Sequence, residues 1–88
     1  MFENNMVSIE RNIGIRIKLL RQSKNETQQQ LGEMVGVVQQ SVAAWESGRC
    51  MPSIISLMRL ASHYNVSTDS VLGVSADTYF ACSLTNNV

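Results

Sequence analysis

Between Arg11 and Lys24 the chain has no acidic residue, and from Leu60 to Val88 it has no Lys or Arg. The two deficits cancel: seven bases and seven acids in 88 residues leave a formal net charge of zero. A neutral total excludes binding driven by the whole surface, as in a histone-like protein. Instead the bases Arg11, Arg16, Lys18, Arg21 and Lys24 share one segment, while the end of the chain carries only Asp69, Asp77 and His63. Cysteine is scarce. Cys50 and Cys82 are too few for a disulfide framework and lack zinc-site spacing. Two free thiols suit a reducing cytosol. With a single His, neither a metal nor a cofactor is expected. No apolar run approaches the roughly 18 residues of a membrane span. The opening "MFENNMVSIERN" has acids where a secretory leader needs bases. The expected location is cytoplasmic. No nucleophile–base constellation and no phosphate loop is present, so the expectation is not an enzyme. One proline and five unclustered glycines give no linker and no repeat, and the length suits one domain.

What is present is helical periodicity. In "RNIGIRIKLLRQSK", Ile13, Ile17 and Leu20 recur at i, i+4, i+7, with Asn12 as the expected cap. Ile15 and Leu19 make a second apolar pair on another face. "NETQQQLGEMVG" reads as a short second helix. Thr27 is its N-cap, Asn25 suits the preceding turn, Leu31, Met34 and Val35 are its apolar side, and Gly36 is its left-handed end. A third helix follows in "VVQQSVAAWESG", with Val42 and Trp45 inward, Val37 a core residue in the turn and Gly48 at the end. Pro52 and Ser53 open a fourth helix, whose expected apolar face is Ile54, Leu57, Met58, Ala61 and Tyr64, with Asn65 ending it. "STDSVLG" is a fifth, capped by Ser67 or Thr68. Residues 74–88 stay open between a strand and two helical turns. The expectation is all-α: a compact five-helix bundle over 11–73, a loosely held N-terminal arm over 1–10, and a C-terminal extension over 74–88.

Three features converge on residues 28–47. Gly32 follows Leu31 and is small enough for a close helix crossing. Gly36 supplies a tight turn, and Val42 and Trp45 then face inward at i, i+3. This is the spacing of a helix-turn-helix. The run from Ile13 to Leu72 resembles the lambda-repressor-like, Cro/CI class of such domains. The matching residues are Gly14, Ile17, Leu20-Arg21, Thr27-Gln28, Leu31, Gly36-Val37, Val42, Glu46, Gly48, Pro52, Leu57, Leu60-Ala61, Val66 and Val71-Leu72. "TQ" and "QQS" are also similar to small lambdoid-phage repressors that read operators with glutamines.

The resemblance implies a five-helix domain that binds double-stranded operator DNA as a homodimer, most simply as a repressor. Gln39 and Gln40 then contact bases, since a Gln amide pairs with the adenine edge. Ser41 reaches a base or a phosphate, and Ala44 offers a methyl to a thymine methyl at most. Gln28 meets a phosphate at a helix N-terminus, which favours anions, and braces Gln39. Thr27 is mainly a cap, with a phosphate contact beside it. Ser47 and Arg49 follow the third helix and suit the phosphate strand. Arg16 and Arg11 are either phosphate ligands or a solvated basic face. Arg21 and Glu46 form an internal ion pair. His63, without a partner pattern, is read as a surface residue.

Departures from the family pattern stand beside these. Val38 occupies the N-cap of the third helix and cannot cap it. Ile15, Leu19 and Ile55 are apolar where relatives are generally polar, so a covering surface is expected. Tyr79, Phe80 and Leu84 in the tail are the expected partners, within the domain or across a dimer. At 88 residues the chain is expected to act without the second domain of large phage repressors: a Cro-like or small CI-like protein, a restriction–modification controller or an antitoxin. A protein-interaction module of the same fold is the alternative.

Overall fold

A computed structural model describes residues 2–72, with side chains from Ile9 onward. Five helices follow one another: α1 (Phe2–Ser23), α2 (Gln28–Val35), α3 (Gln39–Ser47), α4 (Ile54–Tyr64) and α5 (Thr68–Leu72), with no strand among the described residues. The expected α1 begins too late. Its helix starts at Phe2, so Asn12 lies inside it rather than capping it, and no break in secondary structure marks residue 11. Residues 73–88, including Tyr79, Phe80 and Leu84, lie outside the described residues.

Helix ends follow local chemistry. Thr27 accepts from the Gln30 amide while the Gln30 side chain accepts from the Thr27 amide, a reciprocal capping box. The Thr-x-x-Gln spacing carried that signal, and the sequence reading used only its first half. Four helices end on a residue with positive φ: Asn25, Gly36, Gly48 and Asn65. In each case the next amide reaches back five residues, from Glu26 to Arg21, Val37 to Gly32, Arg49 to Ala44 and Val66 to Ala61. Ser53 caps α4 through the Ser56 amide, and Ser67 accepts from the Ser70 amide at the start of α5. Val38 makes no side-chain cap, as its chemistry requires. Val38→Ser is therefore expected to raise unfolding stability by about 1 kcal/mol. Chemical denaturation checks this, and an unchanged midpoint would refute it.

The core gathers Ile13, Ile17, Leu31, Val35, Val42, Trp45, Leu60, Ala61, Tyr64 and Val71, with Leu20, Val37, Leu57, Val66 and Leu72 around it. Helix α1 packs on α3 and α5, α2 on α3 and α4, and α4 on α5. Three expected core positions are corrected. Met34 on α2 is exposed, and so are Ile54 and Met58 on α4. The true inner face of α4 is Ser56, Leu57, Leu60, Ala61 and Tyr64. The apolar residues of α4 cover more of its circumference than one packing face holds, so periodicity alone could not choose between them.

A polar clasp ties the α1–α2 turn to the end of α4. Glu26 accepts from Tyr64 Oη at 2.7 Å and meets His63 Nε2. Lys24 donates to the His63 carbonyl at 2.9 Å. His63, expected to be a surface residue without a partner, is thus half-buried and paired. Burial, and then the hydrogen bond to Glu26, push the Tyr64 hydroxyl well above the ordinary phenol range, so it stays a donor.

Candidate nucleic-acid interface

The α2–turn–α3 unit is held by close backbone approaches. A Cβ on Gly32 would stand 2.6 Å from the Val37 carbonyl oxygen, so only glycine lets the turn fold back onto α2. Gly36 takes φ 79°, a left-handed conformation favouring glycine. On the other side of α3, a Cβ on Gly14 would stand 2.2 Å from the Trp45 carbonyl oxygen and 2.9 Å from that of Glu46. Gly14 is thus what seats α3 on α1. The sequence reading counted Gly14 only as a matching position, because a lone glycine in a helix names no neighbour.

Burial divides α3 into two faces. Val42 and Trp45 point inward, while Gln39 and Gln40 are exposed at its first turn and Ser41, Ala43 and Ala44 are half-buried. Gln39 lies beside the start of α2, where its Nε2 donates to Gln28 Oε1 at 3.5 Å. Gln28 in turn donates from Nε2 to Glu46 Oε1 at 3.1 Å. Thr27 is exposed next to Gln28. Thr27, Gln28 and Gln39 therefore meet at the N-termini of α2 and α3, where unpaired amides favour anions, with exposed Gln40 next along the first turn of α3.

Glu46 belongs to the interior of this arrangement. Arg21 Nε donates to its Oε2 at 2.7 Å and Arg21 Nη2 to its Oε1 at 3.1 Å, a forked pair. Arg21 Nη1 also donates to the Glu26 carbonyl at 2.7 Å. Side-chain exposures of 13% and 5% place the pair away from most solvent. The hydrogen bond to Glu46, which outweighs desolvation, holds the Arg21 guanidinium pKa above its ordinary value.

A family model described as helix-turn-helix matches residues 17–71. The chain belongs to the Cro/CI-type helix-turn-helix family. Among similar proteins, the HTH-type transcriptional activator BcrR of Enterococcus faecalis is 35% identical over 57 residues, covering 65% of this chain and 28% of BcrR. An uncharacterized HTH-type transcriptional regulator of Bacillus subtilis, YobD, is 34% identical over 62 residues, 70% of this chain and 55% of YobD. The chain thus aligns with about a quarter to just over half the length of these relatives. The fold is similar to that of the restriction-modification controller protein C.AhdI from Aeromonas hydrophila. The TM-score is 0.65 at 23% identity, over 69% of this chain and 92% of that one.

Other expected contacts of this helix-turn-helix protein stand differently. Ser47 spends its hydroxyl proton on the Ala44 carbonyl at 3.1 Å and accepts from Arg49 Nε at 3.2 Å. It orients Arg49, whose terminal nitrogens remain the donors at this end of α3. Arg16 is turned away from this surface. Its Nε donates to the Ser70 carbonyl at 2.9 Å, tying α1 to α5 rather than serving the α2–α3 surface. Ile15, Leu19 and Ile55 are exposed, as their departure from the family pattern predicted. They come from two helices: Ile15 and Leu19 lie on α1, while Ile55 lies with exposed Ile54 and Met58 on α4. No described helix is long and apolar enough to cross a membrane.

Proposed function

We propose that this helix-turn-helix protein is a sequence-specific DNA-binding transcription regulator that places α3 in the major groove. The observation that carries this reading is the pairing of exposed Gln39 with Gln28 across the turn, beside exposed Gln40. Two glutamine amides at the first turn of a helix offer donors and acceptors to base edges, each good contact discriminating by about 1–3 kcal/mol. Thr27, Gln28 and Arg49 surround them as positioning contacts to phosphates, so the charge that α3 lacks comes from its neighbours and from helix N-termini. Ser41 and Ala44, half-buried, add a short hydroxyl and a methyl. The working form is a homodimer on a two-fold operator, with half-sites one helical turn apart, acting as a repressor by obstructing polymerase. The curated names of the relatives support transcription regulation, as activator in one case. The family match and the relatives' names support a non-enzymatic role, and a cytoplasmic location belongs to the same proposal.

Selection of bound sites from a random DNA pool tests this. A two-fold motif is the expected result, and an unenriched pool would reject the reading. Gln39→Ala is expected to relax the preference at one symmetric base position by roughly fivefold or more while sparing nonspecific binding. Uniform weakening across all sequences would make Gln39 a positioning contact instead.

The exposed Ile54, Ile55 and Met58 favour a second reading, a module that binds a protein partner such as a toxin or another regulator. A salt titration separates the two. A DNA reader loses affinity log-linearly as salt rises, whereas a protein-binding module gives no specific complex with DNA at any salt.

A further inference from the structure

We infer that Glu46 is a positioning residue for base recognition: through the Gln28 amide it sets which end of the Gln39 amide is offered to DNA. The inference rests on the DNA-binding reading above and adds to it a residue that touches no base.

A carboxamide has a donating end and an accepting end of nearly equal size, so an unrestrained glutamine presents either. A carboxylate only accepts. Glu46 Oε1 takes hydrogens from Arg21 Nη2 and from Gln28 Nε2, each at 3.1 Å. Turning the Gln28 amide over would set its carbonyl oxygen against a carboxylate oxygen, two acceptors facing each other in a partly buried site. Gln28 must therefore give its NH2 group to Glu46 and point Oε1 the other way. There it accepts from Gln39 Nε2 at 3.5 Å. The same preference acts more weakly on exposed Gln39, because turning it over would set two carbonyl oxygens about 3.5 Å apart. Gln39 is left with Oε1 and one N–H for DNA. Adenine offers an acceptor at N7 and a donor at N6, which this pair matches. Guanine offers two acceptors, N7 and O6, and an amide free to donate both hydrogens would suit it better. The polarity starts at the Arg21–Glu46 pair inside the domain and reaches the surface through α2. Sequence spacing hides it, since 25 positions separate Arg21 from Glu46 and 18 separate Gln28 from Glu46.

The test compares affinities for operators carrying adenine or guanine at the position that Gln39→Ala relaxes. The wild type is expected to favour adenine by roughly fivefold or more. Glu46→Gln, which can donate as well as accept, and Gln28→Met, which severs the link but spares the ion pair, should each bring the ratio toward one. Should Glu46→Gln fail to fold, Gln28→Met carries the comparison. The double variant Q28E/E46Q should restore the ratio, because the carboxylate introduced by Q28E again accepts from the Gln39 amide, even where affinity for every sequence falls. If Glu46 were only structural, Glu46→Gln and Gln28→Met would weaken all sites equally with the ratio intact, and the inference would be overturned. A wild type that selects no DNA sequence defeats the DNA reading and the specificity role with it. Side-chain amide exchange by NMR then judges the relay in the free protein. Slower exchange at Gln28 than at exposed Gln29, lost in Glu46→Gln, upholds it; equal exchange in the wild type overturns it.

Discussion

Gly14→Ala is expected to destabilise the protein by about 2–3 kcal/mol, the upper range for overpacking, and to lower the unfolding midpoint by roughly 10–20 °C. The added methyl would lie 2.2 Å from one backbone oxygen and 2.9 Å from the next, those of Trp45 and Glu46. Backbone carbonyls inside a helix do not rotate away as a flexible side chain would. α1 and α3 must separate, and the contacts of Ile13, Ile17, Val42 and Trp45 loosen together. Helix propensity predicts the opposite sign, since alanine favours a helix interior by about 1 kcal/mol over glycine. Thermal unfolding followed by circular dichroism therefore decides between packing and propensity. A midpoint at or above that of the wild type would show that α1 and α3 do not meet as described.

Arg21→Met should cost about 3–5 kcal/mol, because it leaves the Glu46 carboxylate desolvated with only Gln28 beside it. That is a large part of the total stability of a small domain, typically 5–15 kcal/mol. The same substitution removes the donor to the Glu26 carbonyl and loosens the turn before α2. The loss belongs to breaking the pair, not to its net worth. Removing both charges in R21M/E46L should recover much of the stability, since an apolar pair avoids the desolvation. Urea denaturation of the wild type and the two variants measures the loss and its recovery. A loss under about 1 kcal/mol for Arg21→Met would mean that water already screens the pair, as it does for surface ion pairs.

How far the sequence carried the reading depends on which residues act locally. Thr27, Gly36, Gly48, Ser53 and Asn65 were legible because caps and positive-φ ends act within a few positions. Val42 and Trp45 were legible because α3 has few apolar residues to choose from. On α4 the choice was wide, and Ile54 and Met58 were placed inward in error. Asn12 misled for a related reason: a good capping residue inside a continuous helix has the same letters as one at its start.

The candidate site divides in the same way. The helix-turn-helix frame, a local pattern of spacing, places Gln39 and Gln40 at the exposed first turn of α3. The Arg16 contact with α5 is not legible, because its partner Ser70 lies 54 positions away. The Glu26 partnership of His63 was hidden by the same kind of separation, 37 positions.

By itself, then, the sequence determined the helices, most of their ends and the two-faced character of α3, all set by interactions along a few turns of chain. The tertiary structure alone decided that Gly14 seats α3, that Arg16 reaches Ser70 on α5, and that the Gln28–Gln39 pair, already expected from the resemblance, is anchored on Glu46. Those outcomes depend on atoms brought within 2–4 Å from distant positions, and only packing sets that distance.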